Sequence, residues 1–117
     1  KEFFAAVGSP AYPVDPIALE ALARACFARG VAGDGFGRQL MAVIASGSRT
    51  RSLASVRAPT LVIHGDSDPL VHVSGGAATA AAIPDATFWK VPGMGHDLPQ
   101  ALWPEFAARI HDNAQRS

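Results

Sequence analysis

The stretch TLVIHGDSDPLV, residues 60–71, decides how this sequence folds. An apolar run rich in β-branched residues, TLVIH, ends at a glycine and is followed by two aspartates, Asp66 and Asp68. A continuous apolar run of this length is typical of a strand buried on both faces, as in a parallel sheet. The segment ATFWKV, 86–91, has a similar character. We therefore predict two strands in this half of the chain.

Helical patterns alternate with these strands. The segment VSGGAATAAAIP predicts a helix that begins near Ser74, although its two glycines disfavour it. The segment WPEFAARIHDNA predicts a closing helix, against which Trp103 should pack. A strand–helix–strand–helix order requires a crossover between parallel strands. Residues 59–117 are therefore predicted to form an α/β unit, two parallel strands in a βαβα arrangement.

The first half of the chain has a different character. Residues 14–30 predict a helix, with Asp15 as its N-cap and Gly30 as its stop. A second helical pattern, FGRQLMAVIASG, follows it. Both patterns lie before Pro59, where the strand pattern begins. We therefore predict that residues 1–58 form a separate helical segment.

Several large apolar side chains of this helical segment need a place to pack. We predict that most of them form a core between helices, and the alternative is an apolar pocket for a substrate. The residues concerned are Phe3, Phe4, Phe36 and Met41.

Composition excludes several classes of function. Ten basic and 10 acidic residues give a net charge of +0 without a basic stripe, which predicts no nucleic-acid partner. The apolar runs are too short to span a bilayer, and no secretion signal is present, so we predict no membrane partner and a cytoplasmic setting. The single cysteine, Cys26, excludes an internal disulfide and a cysteine-based zinc site. The histidines lack metal-ligand spacing, so no metal site is predicted.

Two loops that follow the strands hold the candidate catalytic residues. In parallel sheets, reacting groups gather beyond the carboxyl ends of the strands. The loops HGDSD and PGMGHD should therefore meet at one edge and bring Asp68 to His96. A carboxylate in this position fixes the tautomer of an imidazole and stabilises its cation during proton transfer. Taken alone, Asp68 fits equally well as a turn residue before Pro69.

Other polar side chains have structural roles in this interpretation. We expect Asp66 to bind backbone amides in its own turn and hold the loop, and Asp97 to have a local structural role. His64 is predicted to be packed and hydrogen-bonded at the end of its strand, and Met94 either to line a pocket or to pack. His72 and His111 are predicted to be solvated. None of four serines is assigned as a nucleophile: Ser9, Ser46, Ser48 and Ser74.

The segments APTLVIHGDSDPLV and IPDATFWKVPGMGHDLP resemble the part of the α/β-hydrolases that carries the catalytic acid and histidine. The resemblance implies that Asp68 is the triad acid and His96 the base. Residues 1–58 resemble the helical cap of esterases related to the anthracycline methylesterases. The implied fold is the C-terminal portion of an α/β-hydrolase sheet preceded by a helical cap. The implied activity is cleavage of a small carboxylic ester through an acyl-enzyme, without a cofactor.

The sequence also departs from that family, because it lacks the nucleophile motif G-x-S-x-G and an HGGG-like oxyanion loop. In the family's order, nucleophile, acid, histidine, both would precede Lys1. The sequence does not begin with methionine, and we expect a C-terminal fragment that is inactive alone. Two parallel strands make a poor independent sheet, so we expect self-association or association with the missing N-terminal part.

Two alternatives remain open at this point. The first is another reaction on the same fold, such as dehalogenation, perhydrolysis or carbon–carbon bond hydrolysis, for which the nucleophile would discriminate. The second is a binding module that has kept the fold without the chemistry.

Overall fold

A computed structural model of the chain describes residues 6–30 and 33–116. Helices and strands alternate in the second half, as predicted, while the first half is helical. The short third helix was not predicted, because four residues are too few to show a periodicity. The elements in chain order are α1 (Pro16–Ala28), α2 (Gly35–Ser46), α3 (Thr50–Leu53), β1 (Leu61–Gly65), α4 (Val73–Ala82), β2 (Thr87–Val91), a 3₁₀ turn (Gln100–Leu102) and α5 (Trp103–Ala114).

The two strands form a small parallel sheet. Their register runs from Leu61 opposite Thr87 to Gly65 opposite Val91. Helix α4 makes the crossover between them, so both strands point the same way and end at the same edge. The chain therefore has an α/β architecture, and the loops that follow the two strands emerge side by side.

The core lies where α5 covers the sheet. Val91, Met94 and Phe106 form its buried centre. The rings of Trp89 and Phe106 meet edge to face, with centroids 5.4 Å apart. Met94 is thus a core residue, which settles the choice between packing and pocket lining. Four partly buried side chains complete the cluster: Tyr12, Ile63, Trp89 and Leu102.

Burial of β1 differs from the prediction. Leu61 to His64 are only partly buried, and Gly65 alone in this strand is fully so. A strand buried on both faces needs neighbours on both sides, and within the described chain β1 pairs with β2 alone. The residue types of this run are those of an interior strand, but its surroundings here are those of an edge.

Helices α1 and α2 begin and end where the sequence predicted. The Asp15 carboxylate accepts the Ile17 amide, 3.1 Å away, at the start of α1. Gly30, with φ of 97°, and Gly47, with φ of 59°, follow the two helices in a conformation that suits glycine.

Packing of these two helices contradicts the prediction. Within the part of the chain that the structure describes, neither helix buries a residue. Phe36 is 80% exposed and Met41 61% exposed, so the predicted core between helices is wrong for both. Trp103 is 56% exposed rather than packed, although its indole donates to the Leu98 carbonyl. Phe3 and Phe4 lie outside the described residues.

Candidate active site

Close backbone contact holds together the loop after β1 and the loop after β2. The Asp66 amide donates to the Val91 carbonyl, and the Ser67 amide donates to the Met94 carbonyl, each over 3.1 Å. At Gly65 the two backbones come so near that a Cβ would overlap the Met94 carbonyl group. Glycine at this position therefore allows the two loops to run side by side.

Asp66 adds a side-chain link between the same loops. Its Oδ1 accepts the Gly93 amide at 2.7 Å and the Ser67 hydroxyl at 3.0 Å. Gly93 has φ of 68°, in the left-handed region that favours glycine. Asp66 holds its loop through a backbone amide, as predicted, but that amide belongs to Gly93 of the opposite loop and not to the turn itself.

Asp68 uses both of its carboxylate oxygens. Oδ1 accepts the amides of Leu70 and Val71, at 2.8 and 2.9 Å. Oδ2 lies 2.8 Å from His96 Nδ1. The side chain is only 5% exposed. Asp68 therefore caps its own turn and also meets the histidine, so the turn role and the pairing with His96 coexist.

The pKa of Asp68 reflects two opposing effects. Burial alone raises the pKa of a carboxyl group, because it disfavours the charged form. Hydrogen bonds from the Val71 amide, His96 and the Leu70 amide, together with the charge of His96, outweigh burial and lower the pKa of Asp68 below its ordinary value. The carboxylate is thus held ionised, the state in which it can accept from an imidazole N–H.

His96 is oriented by Asp68 on one side and remains accessible on the other. An ionised carboxylate only accepts hydrogen bonds, so in the neutral imidazole Nδ1 carries the proton and Nε2 carries the lone pair. The side chain is 46% exposed. Among the described residues Nε2 has no hydrogen-bond partner. An imidazole in this state can accept a proton from an approaching nucleophile at Nε2.

The histidine loop is anchored by a short segment that precedes α1. The His96 amide donates to the Val7 carbonyl at 2.7 Å, and the Ala11 amide donates to the Gly93 carbonyl at 3.1 Å. Between these contacts lies Ser9, which is only 5% exposed. These bonds tie the helical first half of the chain to the candidate site.

Ser9 bridges two groups of that loop. Its hydroxyl accepts the Gly95 amide at 2.9 Å and donates to the Asp97 carboxylate. Asp97 thus has a structural role, as expected, but its partner lies 88 positions away in the sequence and not in its own loop. Sequence reasoning missed Ser9, because nothing in a glycine–serine–proline turn indicates a partner 88 positions away.

Of the remaining histidines, all of them within the described residues, His64 alone contacts this pair. His64 is packed, as predicted, with a side chain that is 13% exposed and Nε2 at 2.8 Å from the Val71 carbonyl. His72 and His111 are exposed, as predicted. Three serines are exposed and make local hydrogen bonds, none of them to His96: Ser46, Ser48 and Ser74.

No protein-family model matches the sequence. Within residues 6–30 and 33–116, no group of three or more histidine, cysteine, aspartate or glutamate side chains is placed to hold a metal ion. No helix in these ranges is both long enough and apolar enough to cross a membrane.

Proposed function

We propose that this chain supplies the acid and the base of a serine hydrolase of the α/β-hydrolase type. Asp68 is the acid, His96 is the base, and a serine outside these 117 residues is the nucleophile. One observation carries the proposal: Asp68, buried and ionised, accepts from Nδ1 of an imidazole whose Nε2 is free to react. The acid and base of a catalytic triad have this geometry.

The proposed reaction is hydrolysis of a carboxylic ester in two half-reactions. The serine oxygen attacks the ester carbonyl while His96 Nε2 takes the serine proton. The tetrahedral intermediate then collapses, and His96 returns the proton to the leaving alcohol. Water then attacks the acyl-enzyme carbonyl while His96 takes its proton, and the second tetrahedral intermediate releases the acid as His96 returns that proton to the serine oxygen. Asp68 stays ionised throughout and stabilises the imidazolium.

The reaction needs no cofactor, since the proton transfers use His96 alone and the charge is balanced by Asp68. Donors for the oxyanion would lie near the serine, outside this chain. They usually supply a large share of the rate enhancement. We therefore propose that the 117 residues alone have no esterase activity.

Exposed apolar surface supports the proposal that another polypeptide packs against this chain. Val43 and Ile44 of α2 are 68% and 62% exposed, and β1 pairs on one side only within the described residues. We propose that the polypeptide bearing the serine packs against these surfaces, and that the chain by itself covers them with a second copy.

A fluorophosphonate probe tests the proposal. The gene that encodes these residues is expressed in its full natural extent, and the labelled polypeptide is weighed and digested. We expect one adduct, on a serine outside the 117 residues, and no adduct on the 117-residue chain alone. His96→Ala and Asp68→Asn should each slow labelling by a factor on the order of 10⁴, the scale on which triads lose activity.

His111→Ala, at an exposed histidine near the end of α5, is the matched control and should label at the wild-type rate. Labelling that persists in His96→Ala would overturn the proposal. Absence of any adduct on the full-length protein would also overturn it and would favour a nucleophile other than serine, such as the aspartate of a dehalogenase.

A further inference from the structure

A second imidazole lies against the candidate acid. His64, near the end of β1, places Nε2 at 2.8 Å from the Val71 carbonyl and at 3.5 Å from Asp68 Oδ2. A carbonyl oxygen only accepts, so Nε2 of His64 must carry a proton. That N–H also lies beside the carboxylate. The neutral His64 tautomer is therefore Nε2–H, opposite to that of His96.

Val71 connects His64 to Asp68 through its backbone. Its amide donates to Asp68 Oδ1 at 2.9 Å, and its carbonyl accepts from His64 Nε2. Both backbone groups of Val71 are thus engaged, one by the acid and one by the histidine. Release of the carbonyl would loosen the turn whose amides hold the Asp68 carboxylate.

Gly76 is the residue that makes room for this ring. It lies within α4 and is buried, where a glycine costs helix stability. A Cβ at this position would lie 2.5 Å from His64 Nδ1 and 2.9 Å from His64 Cβ. Its neighbour Gly75 is exposed, and a Cβ there would meet only Val71 Cγ1 at an ordinary 3.6 Å. Close approach of α4 to His64 therefore requires glycine at 76 and not at 75.

We propose that His64 is a positioning residue for the Asp68–His96 pair, and that Gly76 seats its ring. His64 donates to the Val71 carbonyl, fixes the turn after Asp68, and so holds the carboxylate toward His96. The inference rests on the proposed function only in treating that pair as catalytic. It makes no use of the missing nucleophile, so it can be tested on this chain.

Nuclear magnetic resonance of the 117-residue chain provides the test. Two signals are followed: the titration midpoint of the Asp68 side-chain carbon, and the ring nitrogens of His96, which report whether Nδ1 carries the proton. Asp68→Asn supplies the reference for a lost pair. His64→Gln keeps an N–H donor near the Nε2 position, whereas His64→Ala removes it.

We expect His64→Ala to raise the Asp68 midpoint toward its ordinary value of 3.8 and to shift the His96 nitrogens toward the Asp68→Asn spectrum. His64→Gln should retain wild-type values for both signals. Gly76→Ala, which keeps the imidazole but displaces it, should follow His64→Ala, while Gly75→Ala should match wild type. A merely structural role would make the two alanine variants at 64 and 76 less stable without moving either signal.

The outcomes separate the two proposals. If Asp68→Asn leaves the His96 nitrogens unchanged in a chain whose amide signals are dispersed as in a folded protein, the pair does not form in solution and the proposed function fails with it. If Asp68→Asn changes them but His64→Ala does not, the role of His64 is overturned and the proposed function stands. If His64→Ala fails to fold, the comparison of Gly76→Ala with Gly75→Ala decides, and equal signals in those two variants overturn the inference.

Discussion

Asp68 and His96 are 28 positions apart in the sequence, and Asp68 Oδ2 lies 2.8 Å from His96 Nδ1. Parallel pairing of β1 with β2 brings the ends of both strands to one edge, and the backbone bonds between the two loops complete the approach. Backbone hydrogen bonds thus bring the two loops together independently of the two side chains. Changes to the backbone at this edge should therefore disturb the pair as strongly as changes to the pair itself.

The lowered pKa of Asp68 predicts a loss of stability in acid. In the folded state the pKa of Asp68 lies below 3.8, the ordinary value expected in the unfolded state. At a pH between these two pKa values the unfolded state therefore binds more protons than the folded state. The contribution of Asp68 to the free energy of unfolding is therefore complete above about pH 5 and falls as pH drops through the folded-state pKa. We expect the free energy of unfolding, measured with urea, to fall less between pH 6 and pH 3 in Asp68→Asn than in wild type.

A charge-matched control separates this effect from net charge. Asp112→Asn removes an exposed carboxylate near the C-terminal end of α5. It should retain the wild-type difference in unfolding free energy between the two pH values. An equal difference in wild type and Asp68→Asn would show that Asp68 is not the carboxyl concerned.

Gly65→Ala should damage the site through the backbone alone. A Cβ at Gly65 would overlap the carbonyl group of Met94, which is backbone and cannot rotate away. Overpacking of this kind costs about 1–3 kcal/mol in free energy of unfolding. We expect Gly65→Ala to be destabilised by that amount in urea unfolding, and the His96 ring signals to move with it.

Gly37→Ala is the matched substitution at an open position, because nothing lies within 4 Å of a Cβ built there. Gly37 is the third residue of α2, where alanine is the better helix former. It should be neutral or stabilising and leave the His96 signals in place. Similar losses in both variants would contradict the steric explanation for Gly65.

Local patterns predicted much of the fold and of the pair. The two apolar runs predicted both strands, and the alternation of strands and helices, which implies a parallel sheet, placed Asp68 near His96. Patterns of residue type did not show what lies against each element. Gly76 counted against α4 on helix propensity, yet the structure needs a glycine there for the His64 ring. The apolar face of α2 was recognised, but no pattern indicates what covers it.

Ser9 belongs to the part that sequence reasoning missed, and its hydrogen bonds can be tested. Ser9→Ala would leave the Gly95 amide and the Asp97 carboxylate without this partner. An unsatisfied buried group costs about 1–3 kcal/mol. We expect a loss of that size in unfolding free energy and faster hydrogen exchange of the Gly95 amide.

Two further variants serve as controls for Ser9→Ala. Asp97→Asn keeps an oxygen that can accept from the Ser9 hydroxyl, so it should retain most of the stability. Ser55→Ala removes an exposed hydroxyl that donates to the Ser52 carbonyl, and it should have little effect. If Ser9→Ala exchanges its Gly95 amide at the wild-type rate, the hydroxyl does not anchor the loop.

The exposed face of α2 predicts concentration-dependent self-association of the isolated chain. Phe36 is 80% exposed, and burial of such a side chain contributes about 1.5–3 kcal/mol. Phe36→Lys should therefore shift the molar mass measured by light scattering toward the monomer value of 12.1 kDa. Gln39→Lys adds the same charge on the same helix without removing apolar surface, and it should associate as the wild type does. A wild-type chain that stays monomeric at all concentrations would show that the apolar face of α2 does not cause self-association. If both variants associate equally weakly, the added charge, and not the loss of apolar surface, explains the effect.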